Sequence, residues 1–126
     1  MIQKFKLRQL KQLLCIYSEV PMIPRILTLS WYFLFGIIYI YTNEERLVGS
    51  ISVLRNRVSN FYVLPEHRGK GIGTRLLNHA IEKVKSRGYP YFVGAVQPKD
   101  LRHYQRLNPV PVGFSFGLIA IVVPID

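Results

Sequence analysis

The apolar residues Leu7, Leu10, Leu13, Leu14 and Tyr17 recur at three- and four-residue steps, with Lys6, Gln9, Lys11 and Gln12 on the other faces. That spacing is the helical one and predicts an amphipathic helix. Pro21 and Pro24 interrupt it, because each lacks an amide donor and crowds the preceding turn, so Glu19 to Arg25 should form a bend. From Ile37 the pattern changes to β-branched and aromatic residues, which favour strands. Ile37 to Tyr41 and Leu47 to Leu54 read as a hairpin around the polar group Thr42-Asn43-Glu44-Glu45. A second turn near Arg55-Asn56-Arg57 leads into Val58 to Val63, and Pro65 removes a donor where that third strand should end.

A helical stripe returns at Ile72, Leu76, Leu77, Ala80, Ile81 and Val84, opposite Arg75, Asn78, Glu82, Lys83 and Lys85, with Gly88 as a C-terminal stop. Tyr91 to Val96 predicts a further strand and Asp100 to Leu107 a short helix. Phe114 to Val123 reads as one or two closing strands broken at Gly113 and Gly117. Strands and helices thus alternate in an α/β (α+β) chain without an internal repeat.

Its 126 residues are enough for one core and too few for two ordinary ones, so residues 1–126 are expected to form a single domain. Hydrophobic residues make up 49% of the chain, which excludes a disordered protein. Ile26 to Asn43 carries no formal charge, but its polar residues and the strand-like run from Gly36 to Tyr41 favour a buried strand over a membrane span. A lone cysteine, Cys15, excludes a disulfide framework and a cysteine-based zinc cluster; between Leu14 and Ile16 it reads as a core thiol, and a cytosolic protein is expected. The formal net charge of +10 favours phosphate-bearing partners. The basic residues are scattered from Lys4 to Arg106, so nucleic acid is not the expected partner.

Between the third strand and the long helix lies Arg68-Gly69-Lys70-Gly71-Ile72-Gly73. Amides at a helix start lack intrahelical acceptors and stabilise anions, glycines allow positive φ and close backbone approach, and Arg68 and Lys70 add charge. The loop lacks the G-x-x-x-x-G-K-[ST] run of nucleotide triphosphatases and the G-x-G-x-x-G spacing of dinucleotide folds.

This segment resembles the acetyl-CoA signature of the GNAT N-acetyltransferase family, [Q/R]-x-x-G-x-[G/A]. Val63-Leu64-Pro65-Glu66-His67 is similar to that family's lead-in, and Thr74-Arg75-Leu76-Leu77 to the start of its long helix. The likeness runs from Ile37 to Val123, with residues 1–35 forming an atypical, abbreviated N-terminal region. It implies a mixed, mostly antiparallel central sheet flanked by helices, and acetyl transfer from acetyl-CoA to a primary amine of a small molecule or protein without a metal. By the same resemblance Phe61, Tyr62 and Val63 contact the cofactor arm, and Arg68, Gly69, Lys70, Gly71, Ile72, Gly73 and Thr74 hold its pyrophosphate. The Val63 backbone amide would be the oxyanion donor. Tyr104, in His103-Tyr104-Gln105-Arg106-Leu107, would be the general acid for the leaving thiol, although Asn108 to Val112 reads as an insertion in that motif.

No general base stands out. The third strand carries Ser59 and Asn60 where some family members place a glutamate, leaving Glu44, Glu45, Asp100 and His103 to act through water. His67 reads as a loop residue, His79 as a polar-face helix residue, and Trp31, Tyr32, Phe33 and Phe35 as core or pocket wall. Two other readings compete: a CoA-binding module that has lost catalysis and serves in protein or nucleic-acid interaction, and a basic RNA-directed protein. Aromatic strands are compatible with a homodimer.

Overall fold

The structure, a computed structural model, describes residues 1–16, 30–96, 98–115 and 118–125. The expected bend at Glu19 to Arg25, Tyr17 at the end of the first helix and the break at Gly117 lie outside the described residues. Among those described, seven strands form one sheet in the order β1-β2-β3-β4-β5-β7-β6. The strands are β1 (Ile2–Lys4), β2 (Ile37–Asn43), β3 (Arg46–Leu54), β4 (Arg57–Val63), β5 (Tyr91–Val96), β6 (Val110–Ser115) and β7 (Leu118–Pro124). Neighbours run antiparallel except β4 and β5, which are parallel. This is the mixed α/β architecture that the resemblance implied.

Alternation along β2 divides the core. Ile38 and Ile40 join Leu13 and Tyr32 on one face, while Tyr39 joins Leu76, Leu77 and Val84 on the other. The first face is covered by α1 (Leu10–Ile16), which follows a 3-10 turn at Leu7–Gln9, and by the short helix α2 (30–35). The second is covered by α3 (Ile72–Ser86), whose buried residues Ile72, Leu76, Leu77, Ala80 and Val84 are the predicted stripe apart from half-buried Ile81. Lys83 and Lys85 in the last turn favour the negative end of the helix dipole, and Gly88 leaves the helix at a φ of 84°.

Several sequence expectations need correction. Cys15 is exposed: Leu13 faces the sheet, and two residues further on the helix has turned about 200° away. The closing strands begin earlier than Phe114, since β6 starts at Val110 and Gly113, expected as a break, lies inside it. Pro111 is tolerated because β6 is an edge strand, and the register shift between Pro111 and Gly113 absorbs one residue. The short helix before it is a 3-10 segment, Pro98–Leu107. β1 and α2 were not expected at all.

Candidate active site

The parallel pair β4–β5 is registered only at Arg57↔Val93 and Val58↔Gly94, with the Val93 amide donating to the Asn56 carbonyl at 2.8 Å. Beyond Val58 the two strands diverge. On its other side β4 carries a bulge: Ser50 pairs with Tyr62 and Ser52 with Ser59, so Asn60 and Phe61 together stand opposite Ile51. The Leu64 amide donates to the Val48 carbonyl at 2.9 Å, so alternation turns the amide and carbonyl of Val63 away from β3, toward the opening.

The glycine loop closes one end of that opening. A 3-10 turn at Pro65–His67 delivers Arg68, whose Nε donates to the Val63 carbonyl at 2.9 Å and whose guanidinium lies 5.2 Å from the centre of the Tyr62 ring. Arg68 thereby ties the loop to the end of β4. Gly69 and Gly71 have φ of 80° and 82°, and a Cβ on either would meet nothing within 4 Å. Gly71 is the N-cap of α3 and provides no side-chain cap. The first amide to find a carbonyl in the helix is that of Arg75, donating to Gly71 at 3.0 Å, which leaves Ile72, Gly73 and Thr74 at the start without intrahelical acceptors. Lys70 and Thr74 are exposed beside them.

Phe61 joins the loop to the 3-10 segment. A Cβ on Gly73 would come within 3.2 Å of the Phe61 Cζ, and the Phe61 ring meets that of Tyr104 edge-on at 6.3 Å. Tyr104 is buried, 4% exposed. Phe61, Tyr62, Val63, the residues from Arg68 to Thr74, and Tyr104 therefore form one continuous neighbourhood.

The sequence model of the GNAT acetyltransferase family matches residues 8–108. The chain belongs to this family. Similar solved structures include a ribosomal-protein-S18-alanine N-acetyltransferase from Escherichia coli (16% identity, 100% of this chain and 94% of that one, TM-score 0.81). A PaiA N-acetyltransferase from Thermoplasma acidophilum, solved in complex with coenzyme A, is also similar (16% identity, 99% and 98%, TM-score 0.75). So is an N-acetyltransferase from Staphylococcus aureus Mu50 (19% identity, 100% and 97%, TM-score 0.75). At these identities the likeness is one of fold. No curated protein matches the sequence.

In this GNAT chain the candidate bases are dispersed. Glu44 and Glu45 form the exposed β2–β3 turn, both with positive φ, and the side chains of Asn60, Asp100 and His103 lie outside the described residues. His79 packs edge-on against Tyr39, and the Nδ1 atom of His67 is buried without a hydrogen-bond partner. On the α1 and α2 face, a cleft of about 540 Å³ sits where β4 and β5 part, bounded by Trp31, Tyr32, Arg57, Ser59, Gly94 and Ala95. The buried Tyr32 hydroxyl has no partner of full hydrogen-bond geometry. Burial raises its pKa above 10.0, opposed in smaller measure by Ser59 and Arg57. Sequence reading took Tyr32 as core or wall and Arg57 as a turn residue, because only the tertiary fold brings them together. A depression of about 610 Å³ near Met1, Gln12 and Glu44 lies away from the glycine loop. No described helix is long and apolar enough to cross a membrane.

Proposed function

We propose that the chain transfers an acetyl group from acetyl-CoA to a primary amine. The observation that carries this is the uncapped, glycine-opened start of α3 beside a strand pair that has already separated. Phosphate oxygens fit that cradle: the space a Cβ would enter at Gly69 and Gly71 is open, the helix-start amides are donors, and Lys70 adds charge. Acetyl-CoA supplies the activated thioester. The outward edge of β4, from Phe61 to Val63, pairs with the extended arm of the cofactor, and the Val63 amide donates to the carbonyl oxygen as negative charge develops on it. As the amine nitrogen forms the C–N bond and the C–S bond breaks, Tyr104 would supply a proton to the departing sulfur, and the proton that the nitrogen sheds to solvent would restore the phenol. Arg68 holds the end of β4 and the loop in one geometry, so both contacts are formed before the substrate arrives.

Calorimetry at low salt tests the reading. Acetyl-CoA should bind saturably, and thiol should be released when a panel of amines is added. Gly71→Glu, which sets a carboxylate against the same amides, should abolish binding while thermal unfolding confirms a folded variant. Absence of binding by the folded wild-type protein would refute it, and binding without thiol release would favour the non-catalytic module.

A further inference from the structure

The cleft at the parting of β4 and β5 has a one-sided chemistry. Among the described residues that line it none is a carboxylate, and Arg57 is the one ionised side chain. Among the described residues Arg57 forms no ion pair; the pair found is Arg46–Glu66 at 3.9 Å. Ser59 adds a hydroxyl. Tyr32 is 3% exposed, and its hydroxyl is buried without a partner of full geometry on the side of the cleft where Ser59 and Arg57 lie. A buried hydroxyl left in that state destabilises the fold, and an arriving acceptor atom offsets that cost. A cation and two hydroxyls without an acid suit an anion and oppose a second ammonium group.

We infer that this cleft holds a carboxylate carried by the acceptor, with Arg57 and Ser59 as contacts and Tyr32 as the buried donor behind them. The inference rests on the acetyl-transfer reading and narrows it to amines bearing a carboxylate at a distance. Ser52 and Gly49, the β3 partners of Ser59 and Val63, are three residues apart because the bulge absorbs one residue, so at about 3.3 Å per strand residue Ser59 lies roughly 10 Å along β4 from Val63, where the thioester carbonyl is placed. An α-amine, two bonds from its own carboxylate, would fall short. A terminal amine on an extended chain that carries no other ammonium group, such as an ω-amino acid, can span most of that distance.

Trp31 is the only tryptophan in the chain and lines this cleft, so its fluorescence reports occupancy without turnover. Three probes of matched length separate the possibilities: 6-aminohexanoate, 6-aminohexanamide and 1,6-diaminohexane. The acid should perturb Trp31 with an affinity at least tenfold tighter than the other two. Arg57→Gln should remove that preference and Tyr32→Phe should reduce it, whereas Arg55→Gln, a neighbouring cation outside the cleft, should leave it intact. Equal affinities, tighter binding of the amide or diamine, no saturable change with any probe, or a preference that survives Arg57→Gln would each overturn the assignment. Acetyl-CoA binding is measured separately on the same protein. If the acid binds and acetyl-CoA does not, the transfer reading fails while the cleft stands; the reverse result sinks only the cleft.

Discussion

Tyr104 and Tyr32 lie in the cores on opposite faces of the sheet, and their phenols carry different burdens. A thiol with an ordinary pKa near 8.5 leaves readily, so protonation by a phenol near 10 assists rather than decides the reaction. Tyr104→Phe is expected to lower kcat by about tenfold with KM unchanged, well short of the larger losses that follow when an essential acid is removed. An unchanged kcat would reduce Tyr104 to packing against Phe61. Tyr32 and Tyr39 both have pKa values raised, chiefly by burial, so folding favours their neutral forms. Their contribution is complete below pH 10 and is lost as pH rises through the folded values. Urea unfolding at steps from about pH 9 to pH 11 should therefore show falling stability, and Tyr32→Phe should remove part of that fall. At neutral pH the same variant should be at least as stable as wild type, by up to about 1 kcal/mol, because it deletes an unsatisfied hydroxyl. At this scale the glycine loop was legible because its conformation is local in sequence. Cys15 and Arg57 were read less well, since what each faces depends on the direction of a helix or on a distant strand.

Helix α3 meets the sheet where β3 has no side chain. A Cβ at Gly49 would stand 3.1 Å from the Leu76 Cδ1 atom and 3.2 Å from the Tyr62 carbonyl oxygen. Leu76→Ala should cost about 2–5 kcal/mol by opening a cavity, and Gly49→Ala about 1–3 kcal/mol by overpacking. Together the two should cost less than their sum, because the methyl at position 49 enters space that Leu76 vacates; denaturant unfolding of the four proteins checks this, and strict additivity would contradict the contact. Periodicity identified α3, which buries one face, and β-branched and aromatic content identified β2, β3, β4 and β5, of which β2 and β3 bury residues on both faces. It missed β1, whose three residues are too few to establish a period, and α2, where Trp31, Phe33 and Phe35 have strand-like propensities but are exposed on a helix. β6 was shortened in the reading because proline and glycine usually mark breaks, whereas an edge strand accommodates both. The β2–β3 turn also runs against expectation, with Glu44 and Glu45 at φ of 53° and 66° where Asn and Gly are the usual occupants.

For the molecule as a whole, the geometry of the site is a consequence of sheet order. β4 and β5 are adjacent yet joined through the glycine loop and α3, so the loop necessarily lies at the end where the strands part. The place of the glycine loop at a helix start could be read from the signature; the register at which β4 and β5 pair could not, since it depends on segments far apart in sequence. The excess of 17 Lys and Arg over 7 Asp and Glu supplies a field that draws in a polyanion and weakens with salt. The central claim is that main-chain amides at the start of α3 bind the diphosphate of the cofactor. Amide-resolved NMR during a titration with coenzyme A tests it most directly. The account predicts that the signals of Ile72, Gly73 and Thr74 move most and saturate together; unchanged signals there, with the largest shifts in another part of the sheet, would contradict it.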